Sequence, residues 1–146
     1  MTYQLLNYRK KFTLLIWGGC TEGETIVCYR NLGISSGNEN NIVRTISFRP
    51  TKKITLGQVI DKYGVPNKVA VFINEYPPWI SISLIFEKIQ TIVDLSSQEG
   101  DVYTADTSSE VVNIAYKDIN SLERFINQSN AQVWKGYGDY KLPDLP

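Results

Sequence analysis

The chain has 146 residues, of which 42% are hydrophobic and 21% charged, the balance of a globular protein and not of a disordered one. Its 15 basic and 15 acidic residues cancel, which argues against a general nucleic-acid binder. It contains no histidine, the commonest general base near neutral pH and the commonest metal ligand.

A chain of this length is expected to be one domain that buries roughly 68–70% of its unfolded surface. The charges are uneven: residues 1–53 hold eight basic and three acidic residues, and residues 54–146 hold seven and twelve. A solvated face is the ordinary outcome of such asymmetry, which would also orient a charged partner. Two cysteines, Cys20 and Cys28, cannot fill a four-thiolate zinc site, and no metal or cofactor is expected. They could form one disulfide or be two buried thiols. No apolar run approaches the roughly 18 residues of a membrane-spanning helix.

Near the N-terminus, Arg9-Lys10-Lys11, the apolar run Phe12 to Trp17 and Gly18-Gly19-Cys20 have the layout of a lipoprotein signal. The apolar core is shorter than such signals use and ends in tryptophan, so a first strand is expected instead. Phe12 to Trp17 and Thr25 to Tyr29 read as two strands about the turn Thr21 to Glu24. Asn31 to Asn41, rich in Gly, Ser and Asn, reads as a mobile loop. Residues 1–41 thus precede a core module over residues 42–140. That module opens with a strand from Ile42 to Arg49, with Ile42, Ile46 and Phe48 on one face and Arg44 interrupting it.

Ile54 to Pro66 has both ends of a helix written into it. Thr55 is an N-cap with Gln58 at the capping-box position, and Ile54 and Val59 are spaced as a hydrophobic staple. Leu56, Val59, Ile60 and Tyr63 form one apolar stripe. Gly64 suits a left-handed C-terminal position, with Val65 folding back on Ile60, and Pro66 forbids continuation. Lys68 to Asn74 is β-rich, whereas Glu75 to Trp79, with two prolines, is expected to leave the sheet. Ile80, Ile82, Leu84 and Phe86 alternate with serines and predict a strand with one buried face. Lys88 to Asp94 follows as a strand after a tight turn, Ser96 to Ser109 reads as an acidic loop, and Glu110 to Tyr116 as the last strand. A second short helix is expected with Asn120 as cap, Glu123 at the capping-box position, and Leu122, Phe125 and Ile126 inward. These elements describe an α+β domain, an antiparallel sheet with two short helices packed on one face.

Thr55-Leu-Gly-Gln-Val-Ile-Asp-Lys-Tyr-Gly-Val-Pro-Asn-Lys-Val69 and the closing Trp134-Lys-Gly-Tyr-Gly138 resemble the helix-to-strand and closing motifs of small bacterial lipoprotein-like domains. Those domains are similar to outer-membrane assembly lipoproteins of the SmpA/OmlA type and to β-lactamase inhibitor protein-like (BLIP-like) modules. The resemblance spans about two-thirds of the chain, residues 42–140. It implies a curved antiparallel sheet and an extracytoplasmic, non-enzymatic module that binds another protein or a larger assembly, or stays close to a membrane.

The residue chemistry agrees with a binding role. Asp94, Glu99, Asp101, Asp106 and Glu110 match no calcium-loop spacing, and a cysteine nucleophile would lack a histidine base. Neither Gly18-Gly19 nor Gly136-Tyr-Gly138 is a phosphate loop. No catalytic residue is assigned. The candidate binding residues are the aromatics of Pro- and Gly-rich stretches: Tyr76, Trp79, Trp134, Tyr137 and Tyr140. For Trp134 and Tyr137 the competing expectation is a plug at one end of the core. An alternative from another class is a carbohydrate-active or carbohydrate-binding protein that uses the same aromatics with the acidic residues.

Overall fold

A computed structural model describes residues 29–36, 43–75 and 78–144. Cys20, Cys28, Tyr76 and the strand expected over Phe12 to Trp17 lie outside the described residues. In chain order the elements are β1 (Tyr29–Ser36), β2 (Val43–Pro50), α1 (Leu56–Tyr63), β3 (Lys68–Glu75), β4 (Pro78–Phe86), β5 (Thr91–Leu95) and β6 (Gln98–Glu99). They continue with β7 (Tyr103–Ala105), β8 (Val111–Lys117), α2 (Ile119–Gln128), β9 (Gln132–Val133) and β10 (Gly138–Tyr140). The main sheet runs β1-β2-β8-β5-β4-β3-β9, with β6 paired to β4, and β7 pairs β10 in a separate ribbon. Every pairing is antiparallel, so the fold is α+β.

The alternation of β4 sorts the core into two layers. Ile80, Ile82, Leu84 and Phe86 join Val69, Val71, Val93, Leu95, Ile114, Ile46 and Phe48 under Leu56 and Val59 of α1. Ile85 points the other way and meets Ala70, Ile92, Ala115 and Leu122 of α2. The helices therefore cover opposite faces of the sheet, not one. Ser83, expected to face solvent, is buried on the α2 side. Ala70 and Ala115 explain the approach of α2: their short side chains leave room for a helix to lie directly on the strands.

The start of α1 is as its sequence dictates. Gln58 N–H donates to Thr55 Oγ1 at 3.4 Å, and Thr55 N–H donates to Gln58 Oε1 at 3.0 Å. Its end differs. Gly64 has φ 83 but an extended ψ of −172, so the chain swings outward and Val65 is 69% exposed instead of covering Ile60. Asn67 then joins the sheet by donating from its N–H to the Ile85 carbonyl at 2.8 Å.

Several expected loops are ordered. Asn31 to Ser36 belongs to β1, and Glu75, Pro78 and Trp79 all lie in strands. Pro78 is tolerated as the first residue of β4, where its carbonyl accepts from Gly100 N–H at 2.8 Å. The connection into β5 is a 3-10 turn over Glu87–Ile89, which delays that strand to Thr91. Within Ser96 to Ser109, β6 and β7 form, and Tyr103 is fully buried with its hydroxyl donating to the Ser96 carbonyl at 3.0 Å. β8 is not the last strand, because β9 and β10 follow. The cap of α2 is Asp118, not Asn120: its carboxylate accepts from Ser121 N–H at 2.7 Å and pairs with Arg44 at 3.2 Å.

Candidate binding surface

The structure separates the candidate aromatics onto opposite sides of the sheet. Trp134, Tyr137 and Tyr140 gather at the C-terminal ribbon on the α1 side. Trp134 stacks on Tyr140 with ring centroids 5.2 Å apart at 8°, and Tyr137 meets Trp134 edge-on at 6.1 Å. The Tyr140 hydroxyl donates to the Gly136 carbonyl at 2.6 Å and accepts from Lys135 N–H at 3.0 Å. Tyr140 is buried and Trp134, half-buried, packs against the same core; together they hold the tail down. Tyr137 is 46% exposed. Partial burial pushes its hydroxyl pKa up, helped by the negative charges of Asp61 and Asp106, so it stays neutral at physiological pH.

Trp79 lies on the α2 side. Its directly opposed neighbours are Asn74 on β3 and Glu99 on β6, and opposed residues share a face. The next row on that face pairs Phe72 with Ser81. The row beyond runs Ala70, Ser83, Asp94, Asn113 across β3, β4, β5 and β8. α2 reaches only as far as Phe72, whose ring is 6.2 Å from that of Phe125. Among the described residues the helix shields one half of this face and leaves the other open. Phe72 and Trp79 are 38% and 39% exposed there, and Asn74 and Glu99 are exposed beside them.

The inner border of the open half is polar, and its side chains are hydrogen-bonded to one another. Ser83 Oγ donates to Asp94 Oδ1 at 2.5 Å, and Asn113 Nδ2 donates to Asp94 Oδ2 at 2.9 Å. Next to Asn113 the β5–β8 register slips, leaving Val112 as an extra, exposed residue. Such a bulge bends the strand where regular pairing would otherwise continue.

The acidic residues serve different ends. Asp106 fastens its own turn by accepting from Ser108 N–H at 2.7 Å and Ser108 Oγ at 2.6 Å, and these bonds lower its pKa. Glu110 forms a backbone bridge with Thr55. Among the described residues, no three His, Cys, Asp or Glu side chains are grouped to hold a metal. No helix among them is long and apolar enough to cross a membrane.

Phe72, Asn74 and Glu99 complete the surface around Trp79; sequence reasoning named Glu99 only among the acidic residues of the carbohydrate reading, and Phe72 and Asn74 not as contact residues at all. A signal for two of them exists: Val69, Val71 and Ile73 alternate as an inward row, which leaves Phe72 and Asn74 on the opposite face. No protein family, curated protein or solved structure matches this chain.

Proposed function

We propose that this chain is a non-catalytic binding module that acts through protein–protein contacts on the open half of its sheet. The observation carrying this reading is that Phe72 and Trp79, two large aromatic side chains in successive rows of one sheet face, are both left partly exposed on neighbouring strands. Rigid aromatic anchors of this kind supply much of the free energy at protein interfaces, because they bury large areas at little cost in conformational freedom. An envelope-associated, extracytoplasmic setting, a curved sheet and kinship with SmpA/OmlA and BLIP-like modules are part of the same proposal. They rest on the motifs at Thr55 to Val69 and Trp134 to Gly138. A count of both thiols of Cys20 and Cys28 as free under non-reducing denaturation would remove a bridge between them.

A second reading, carbohydrate binding, draws on the same row: the Trp79 indole is flanked by Asn74 and Glu99, an aromatic platform with polar neighbours. The test compares wild-type protein, Trp79→Ala and Tyr137→Ala as baits in extracts of the native source, with captured proteins identified by mass spectrometry. A partner retained by wild type and Tyr137→Ala but lost by folded Trp79→Ala is the expected result. Equal capture by Trp79→Ala refutes the assignment of this surface.

A further inference from the structure

The open half of the sheet has a charge character that narrows its partner. Between Lys88 and Lys117 the sequence has five acidic residues and no basic one. The ion pairs of the described residues, Arg44–Asp118 and Lys68–Glu87, use none of those five. Two of the five lie on this face: Glu99, exposed, directly across from Trp79, and Asp94, half-buried at the inner border, directly across from Ser83 with each carboxylate oxygen already accepting one hydrogen bond and keeping a lone pair for another.

An exposed indole beside an uncompensated carboxylate is complementary to a guanidinium. The ring face attracts the cation, and the carboxylate accepts its paired N–H groups. A lysine ammonium would gain the charge contact but not the planar stacking. An acidic segment or a nucleic-acid backbone would be repelled. A neutral sugar could stack on Trp79 but would gain no charge contact from Glu99.

The spacing adds a constraint. The rows of Glu99 and Asp94 are separated along β4 by the step from Trp79 to Ser83. At about 3.3 Å per residue this is about 13 Å, the distance between residues i and i+4 of an extended chain. Phe72 lies between the two rows, where it would meet an apolar stem or backbone of that chain.

We infer that the open half of this sheet docks an extended, arginine-bearing segment of a partner protein. One guanidinium is held between Trp79 and Glu99, and a second, four residues on, at Asp94. The inference rests on the protein-binding reading and adds the chemistry of the partner.

The test uses the full chain and the probe acetyl-Gly-Ser-Arg-Ser-Gly-Ser-Arg-Ser-Gly-amide. Its control replaces both arginines by citrulline, which keeps the shape and removes the charge. Binding is followed through the indole N–H resonance of Trp79, assigned with Trp79→Phe. The arginine peptide is expected to shift that resonance saturably and leave that of Trp134 in place. Citrulline, or Glu99→Gln in a protein whose remaining spectrum is unchanged, should weaken binding by about tenfold, and added salt should weaken it further.

Equal binding of the citrulline peptide, or no shift with arginine, overturns the inference. If the arginine peptide fails while Trp79→Ala still abolishes partner capture, the partner chemistry is wrong and the protein-binding reading stands. If only cellohexaose or chitohexaose moves Trp79, the arginine inference falls and the surface is a carbohydrate site. If nothing moves Trp79 and capture survives its removal, both readings fall.

Discussion

Asp118 shows how much one side chain can decide. It caps α2 through Ser121, pairs with Arg44 from β2, and its own N–H donates to the Arg44 carbonyl at 2.9 Å. Burial pushes its carboxyl pKa up, but the hydrogen bonds from Ser121 and the Arg44 guanidinium outweigh this and hold the pKa below the ordinary aspartate value. A carboxyl whose folded pKa lies below its unfolded one stabilises the fold above the unfolded value, near pH 4, and that stability is lost as the pH falls through the folded value. Asn at this position can still cap the helix but cannot carry the charge. Asp118→Asn should therefore lower stability at neutral pH and flatten its decline below about pH 4. Urea midpoints measured across that range check it, and parallel profiles for the two proteins would contradict it. Local spacing favoured Asn120 because Glu123 lies three residues on; Arg44, 74 residues away, favours Asp118 instead.

At the level of elements, α1 depends on a turn remote in sequence. Leu56 N–H donates to the Ser109 carbonyl at 2.8 Å and Gly57 N–H to the Thr107 carbonyl at 3.0 Å, which satisfies donors that the first turn of a helix otherwise leaves unpaired. The turn in turn is held by Asp106 and by Val111 N–H donating to Ile54 O at 2.9 Å. This close approach needs Gly57, since a Cβ there would lie 3.1 Å from the Thr107 carbonyl oxygen. Alanine in place of a helical glycine usually stabilises by about 1 kcal/mol. Gly57→Ala should instead lower the melting temperature, because the oxygen it crowds is fixed by the same backbone that bonds it. A rise in melting temperature would show that the turn yields. The stretch Ser96 to Ser109 looked like a free loop because its composition is polar. Its order comes from Tyr103, and from Gln98, which bonds both the N–H and the carbonyl of Thr104 at 2.9 Å.

For the molecule as a whole, the two faces of the sheet are covered unequally. Among the described residues, the α1 face carries a large core roofed by α1, β7 and β10, whereas the α2 face has five buried apolar residues and one short helix. Leu122 is the one fully buried side chain of α2, so Leu122→Ala should cost roughly 2–5 kcal/mol. Because the sheet stands between the layers, that loss should add to the loss from Val59→Ala on α1, with a coupling below about 0.5 kcal/mol. Denaturant unfolding of both single variants and the double variant tests this. A larger coupling would mean that the two helices share a layer after all. The same inequality leaves Phe72 and Trp79 uncovered.

The sequence by itself determined what local chemistry controls: the strands with strict alternation, the Thr55–Gln58 cap, the α+β class, and Leu122, Phe125 and Ile126 as the inner side of the second helix. Trp79 was also visible as a displayed aromatic. Only the tertiary structure decided which face each helix covers, because a sheet with apolar residues on both sides offers two places for an apolar stripe. It also decided that Trp134 and Tyr140 stack into the core, that Ser83 and Asp94 are bonded partners, and that Glu99 and Asn74 stand beside Trp79. Alternation within one strand says which residues share a face, but not which strand or helix lies beside them or in what register, and these contacts depend on that choice.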